Sequence, residues 1–305
     1  MDIGFGAPVS GAWATPQNLA AFATAAEGAG YHSLWSFQRL LVPAGSGMDP
    51  VYRSVLDPMA ALAFAAAVTS RIRLGVAIVN LPFVSPGYLA KQAASVDVLS
   101  GGRHDLGLGI GWMPAEFALT GADMARRGAR AAEYVQALRT LWAGNIAAEV
   151  TGTFYQLPAG DQLPRPVQPG GPPILLGGMA RPALERIGRI ADGWVTSSRT
   201  DLSKIDTLIA VVRESAAAAG RDPATLRYIC RGVVRAGAPA TGPDGQRLPL
   251  SGSYDQIRTD TQRLGELGVT EVFYDLNWDP LIGSPDAPVA AATERAQEIL
   301  HALAP

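Results

Sequence analysis

Eight times along this chain a short apolar run gives way to a turn and then to an amphipathic or alanine-rich stretch. The runs are Asp2 to Phe5, Ser33 to Trp35, Arg73 to Val79, Arg103 to Ile110, Ile174 to Leu176, Gly193 to Val195, Tyr228 to Val234 and Glu271 to Leu276. Strands that alternate with helices in this way build a parallel sheet covered by helices. Several helix starts are written plainly: Thr15-Pro16, Asp57-Pro58 and Ser85-Pro86 each put a capping side chain before a proline at the first helical position. A count of eight predicts an α/β fold of the (β/α)8 TIM-barrel type spanning 1–305 as one domain. Two stretches break the rhythm and are expected as insertions: a hairpin near 149–157, turning at Gly152, and a Pro- and Gly-rich loop near 236–250. The competing fold is an open doubly wound sheet. Against it, Gly107-x-Gly109-x-Gly111 lacks the spacing of a dinucleotide-binding turn, and Pro114 intervenes before the helix.

Composition narrows the function classes. With 305 residues, 48% of them hydrophobic, the chain can bury a large core. A net charge of −2 gives no electrostatic case for nucleic acid or an anionic membrane. The one cysteine, Cys230, excludes an internal disulfide and a cysteine-rich metal site, so no metal is expected. The longest apolar run, Met59 to Val68, is too short to span a bilayer, and no basic-flanked leader opens the chain. A cytoplasmic protein acting on a small molecule is the expectation. Lysine is confined to Lys91 and Lys204, neither in a Gly-rich loop, so P-loop and Schiff-base chemistry have almost no candidates.

Chemistry concentrates at Ser100 to Phe117, SGGRHDLGLGIGWMPAEF. Its strand ends in Gly109-Ile110-Gly111-Trp112, where glycine lets a second backbone or a flat ligand come close and Trp112 offers a broad face. The same residues also suit a buried strand followed by a tight turn.

Together with LAKQAASVDV before it, this stretch resembles the bacterial luciferase-like monooxygenase superfamily, and most nearly its branch using coenzyme F420, a deazaflavin. GAGYHSLW (28–35), RIRLGVAIV (71–79), RRGARAAEYVQALRTLW (126–142), PRPVQPGGPPILLGG (164–178) and IADGWV (190–195) agree with it. The resemblance thins after Val195. It implies a flavin or deazaflavin ring at the C-terminal mouth of the barrel, and a homodimer. It also implies a non-prolyl cis peptide at Ala77-Ile78 behind the ring, with Phe37, Asn80, Gly109, Gly111 and Trp112 around it. The phosphate-bearing arm would meet Gly177, Gly178, Met179 and Ala180, since backbone N–H groups at a helix start bind anions. Thr196 and Ser197 would add hydroxyls, and Arg199 a charge.

The sequence departs from the family at two places. After Trp35 the family carries an acidic residue and a histidine; here Gln38 and Arg39 stand in their place, and His32, His104 and His301 all fall elsewhere. Arg39 and Gln38 are therefore the catalytic candidates. Arg39 cannot act as an acid, its pKa lying above ~12. It can hold a reduced ring as its anion, clamp a substrate carboxylate, or form a salt bridge. At Trp112 some relatives carry a glutamate as proton donor; Glu116, four residues on, is either near the site or a helix-start carboxylate. Strand ends at the same mouth place Met113, Arg231, Asn277 and Trp278 around the substrate. The expected activity is hydride transfer between coenzyme F420 and a small organic substrate. The alternatives are an FMN-dependent monooxygenase and a barrel that binds flavin without turnover.

Overall fold

The structure, a computed structural model, describes residues 1–237, 239–242 and 245–305. Eight parallel strands close into a barrel: β1 (Asp2–Gly6), β2 (Ser33–Ser36), β3 (Arg73–Asn80), β4 (His104–Gly109), β5 (Ile174–Gly177), β6 (Gly193–Val195), β7 (Arg227–Val233) and β8 (Glu271–Asp275). Each strand pairs with its neighbour in the chain, and β8 closes on β1 with Asp2 opposite Glu271 and Phe5 opposite Tyr274. The expected fold class is thus observed. The helices include α1 (Pro16–Gly28), α2 (Pro58–Val68), α3 (Pro86–Ser100), α4 (Pro114–Thr120), α5 (Arg127–Trp142) and α6 (Arg181–Ile190). The three expected caps are made: Thr15, Asp57 and Ser85 accept from the N–H groups of Asn18, Ala60 and Tyr88.

The pleat sends alternate side chains into the barrel, where they stack in layers. The lowest is polar. Asp105 accepts from Arg73 (2.6 Å) and Arg227 (2.7 Å), and Arg227 also reaches Glu271 (2.9 Å). The middle layer is apolar: Trp35, Leu175, Val195, Ile229 and Phe273 are buried together, with Trp35 and Phe273 stacked at 5.1 Å. Gly75 is required here, because a Cβ on it would stand 2.4 Å from the Trp35 ring. At the C-terminal mouth three strands, β1, β4 and β5, end in glycine: Gly6, Gly109 and Gly177.

Between α1 and β3 the fold is tied by one carboxylate. Glu27 accepts the backbone N–H groups of Ser70, Arg71 and Ile72. Partial burial opposes its ionisation, but the backbone donors outweigh it and bring its pKa down to about 2 from 4.5. The folded state therefore binds fewer protons than the unfolded chain between these values. The stabilisation is complete above pH 4.5 and is lost as pH falls towards 2. In Glu27→Gln this acid-dependent loss should disappear, which denaturant midpoints for both proteins at pH 5 and pH 3 would show.

The hairpin is found, with Val150–Thr151 paired to Gln156–Leu157. A second antiparallel pair, Asn145–Ile146 with Gly160–Asp161, extends it beyond the expected 149–157. In the 236–250 insertion, residues 238, 243 and 244 lie outside the described residues. Its ends, Arg235–Ala236 and Ser251–Gly252, pair as a short parallel ladder. Among the described residues no helix is long and apolar enough to cross a membrane.

Candidate active site

The mouth is shaped by a miscount between β3 and β4. Val76 faces Leu106 but Val79 faces Leu108, so β3 carries one extra residue. The Ala77-Ile78 peptide within this bulge is cis, as the resemblance implied. β4 makes room with its glycines. A Cβ on Gly107 would stand 2.1 Å from the Val76 carbonyl oxygen, and one on Gly109 2.1 Å from Ile78 Cδ1. The glycines of GLGIG thus serve first to admit a neighbouring backbone and side chain. Across the mouth, the Cβ position of Gly177 is 3.5 Å from Ile78 Cγ2. The Ile78 side chain therefore lies against Gly107, Gly109 and Gly177.

Beneath this floor Arg231, 8% exposed, donates to Asp275 Oδ2 (2.7 Å) and to the Ala77 carbonyl (3.1 Å). Phe37 and Trp278 cover its guanidinium at 4.6 and 4.1 Å. These contacts correct two expectations. Arg231 is a prop for the bulge rather than a group facing substrate, and Phe37, itself buried, backs Arg231 rather than the ring. Asn277 is corrected too. It is 1% exposed; its amide oxygen accepts from Ser10 and Trp13, and its amide nitrogen donates to Ala7 and Asp275. It pins the β1 and β8 loops together. Thr196 is buried, its hydroxyl accepting the Arg231 N–H.

Other candidates reach the mouth. Trp112 and Met179 are about half exposed, and Ser197 and Ala180 are exposed. Ser197 Oγ lies 3.5 Å from Met179 Sδ, which brings the β6 and β5 ends together. Arg199 sits 5.5 Å from the Trp112 ring and Arg39 sits 5.3 Å from it, so two guanidiniums flank one indole. Gly111, at φ +69°, packs closely on Phe117 and Phe83. Gln38 holds the upper end of β3, its amide oxygen accepting from the backbone and side-chain N–H groups of Asn80. Asn80 is likewise engaged there and buried.

Arg39 is paired with Glu116 at 2.9 Å, and Met113 lies 3.7 Å from the same nitrogen. Glu116 is thus a buried partner of the β2 loop as well as a first-turn residue of α4. Tyr52 and Asp275 belong to the site and were not foreseen. Tyr52 stacks on Arg39 and packs against Phe37 and Trp278. Asp275 announces itself only as the strand-ending residue of Asp-Leu-Asn, a pattern suited to a side-chain-capped turn. A cavity of about 790 Å³ is lined by segments 39–48 and 52–55.

Among the described residues neither a cysteine nor a histidine stands in this constellation. Cys230 is buried, and burial pushes its thiol up to about 12. His104 is buried away from the mouth on the Leu74 carbonyl, and His32 lies near Asp2 at the opposite end of the barrel. Asp2, His32 and Glu271 do bring potential metal ligands within 4.8 Å of one another. The Glu271 oxygens, however, already accept from Trp35 and Arg227.

A family model for luciferase-like monooxygenases matches residues 3–270. The chain belongs to the luciferase-like monooxygenase family. An uncharacterized protein of Mycobacterium tuberculosis is 34% identical over 228 residues, covering 75% of this chain and 72% of that one. The FMNH2-dependent dimethylsulfone monooxygenase of Pseudomonas putida is 29% identical over 189 residues, 61% of this chain and 50% of that one. Among solved structures, the coenzyme F420-dependent tetrahydromethanopterin reductase of Methanopyrus kandleri superposes with a TM-score of 0.77. It covers 100% of this chain and 98% of that one at 17% identity, a likeness of fold alone. The luciferase-like family is one of oxidoreductases and monooxygenases.

Proposed function

We propose that this chain transfers a hydride between coenzyme F420 and a small organic substrate. The observation that carries this reading is the meeting of the bulge and the two glycine segments at Ile78, which makes a shallow, small-residue floor for a flat ring. Three features of the mouth fit such a group. Gly177 tolerates close approach, with no atom nearer its Cβ position than 3.5 Å. Ser197 and the start of α6 offer donors to an anionic arm. Arg199 holds a permanent positive charge beside the Trp112 ring, which suits a polyanionic tail. The deazaflavin, when bound, supplies the two-electron chemistry. The protein positions it, backs it with the Arg231–Asp275 pair, and keeps water from its buried face.

An FMN-dependent monooxygenase is the second reading, and the name of the Pseudomonas putida relative favours it. The two cofactors differ in their reaction with oxygen, which is ready for reduced FMN and poor for the deazaflavin. Titration with each, followed by ring absorbance or fluorescence, tests the choice. Saturable binding of F420, with FMN weaker, is the expected result. Tight FMN binding with none for the deazaflavin would reverse it. Failure to bind either would overturn the redox assignment altogether.

A further inference from the structure

Arg39 is nearly sealed inside the protein, with 6% of its side chain exposed, and Glu116 opposite it is 1% exposed. The pair is tight at 2.9 Å, and the second Glu116 oxygen accepts the Leu40 N–H at 2.8 Å. The guanidinium lies between two rings, 4.4 Å from Tyr52 and 5.3 Å from Trp112. Its Nε is buried and has no hydrogen-bond partner among the described residues. A buried donor without an acceptor is costly, and such sites are commonly completed by a ligand or water. Arg39 also lines the cavity of segments 39–48 and 52–55, whose walls include Leu40, Met48, Tyr52, Ser54 and Arg53, the last paired with Asp286. The Trp112 ring beside Arg39 is 50% exposed.

We infer that this cavity is the substrate compartment, and that Arg39 is its specificity-determining donor, selecting a neutral carbonyl oxygen. The charge balance decides the class. Glu116 already neutralises Arg39, so a substrate carboxylate would set two anions against one buried cation. A ketone, aldehyde or amide oxygen satisfies the free N–H without adding charge. The expectation that Arg39 clamps a carboxylate is replaced by this one. Only the fate of the carbonyl rests on the proposed hydride transfer; its selection does not.

The test uses benzamide and benzoate, two probes of one shape, bound to the full chain without cofactor and measured by calorimetry. The wild type should bind benzamide roughly tenfold or more tightly than benzoate, since like charges brought together are strongly disfavoured. Glu116→Gln keeps an acceptor for the Leu40 N–H but removes the balancing charge, and should turn the preference towards benzoate. Arg39→Leu should level the two. A wild-type preference for benzoate, binding of neither probe, or an unchanged preference in folded Glu116→Gln would each overturn the inference. If that variant does not fold, as circular dichroism would show, the wild-type comparison decides. None of these outcomes bears on whether F420 or FMN binds.

Discussion

Replacing Arg231 with methionine should cost about 3–5 kcal/mol of stability, because it leaves the Asp275 carboxylate buried with no cation. That carboxylate is 2% exposed, and Arg231 is its only ion-pair partner among the described residues. The same change removes the donor to the Ala77 carbonyl, so cofactor binding should fall with stability. A second substitution separates the two effects. Asp275→Asn in the Arg231→Met background removes the stranded charge while keeping an oxygen for the Asn277 N–H groups. Much of the stability should return in denaturant unfolding, while ring binding stays weak because nothing holds the bulge. Full recovery of binding would show that Arg231 serves the fold alone.

Asp105→Asn should be equally damaging to stability and harmless to the site. Asp105 is fully buried between Arg73 and Arg227. Burial disfavours its charge, but the Arg73 hydrogen bonds and the Arg227 charge overcome this and hold its pKa below the usual carboxylate range. In the wild type two carboxylates, Asp105 and Glu271, face two guanidiniums. The variant leaves one carboxylate for both, a loss of about 3–5 kcal/mol. Because this layer lies at the end of the barrel away from the mouth, the fraction that folds should bind cofactor as the wild type does. Weaker binding per folded molecule would refute that separation of stability from function.

Much of the fold is legible in the sequence because it is written locally. Proline-preceded caps mark helix starts, and the run-turn-helix rhythm recurs eight times. The glycines of GLGIG are legible as places of close approach. What approaches is not, since Val76 and Ile78 come from the neighbouring strand. The site's ionic partners are hidden for the same reason. Arg39 and Glu116 are 77 residues apart, and Arg231 and Asp275 are 44 apart, brought together only by closure of the barrel. A side chain at a strand's end therefore looks available for ligand when it is already engaged. This is why Arg231, Asn277 and Thr196 were expected around the ligands and are found serving as struts.

The extra residue in β3 has an evolutionary consequence. Two adjoining strands that tally their rungs differently cannot drift independently: shortening β3 by one position would restore an even ladder and a serviceable barrel, with no seat at its mouth. Ancestry in this lineage should therefore tolerate point changes around the rim far more readily than single-codon deletions here, where architecture would survive and purpose would not.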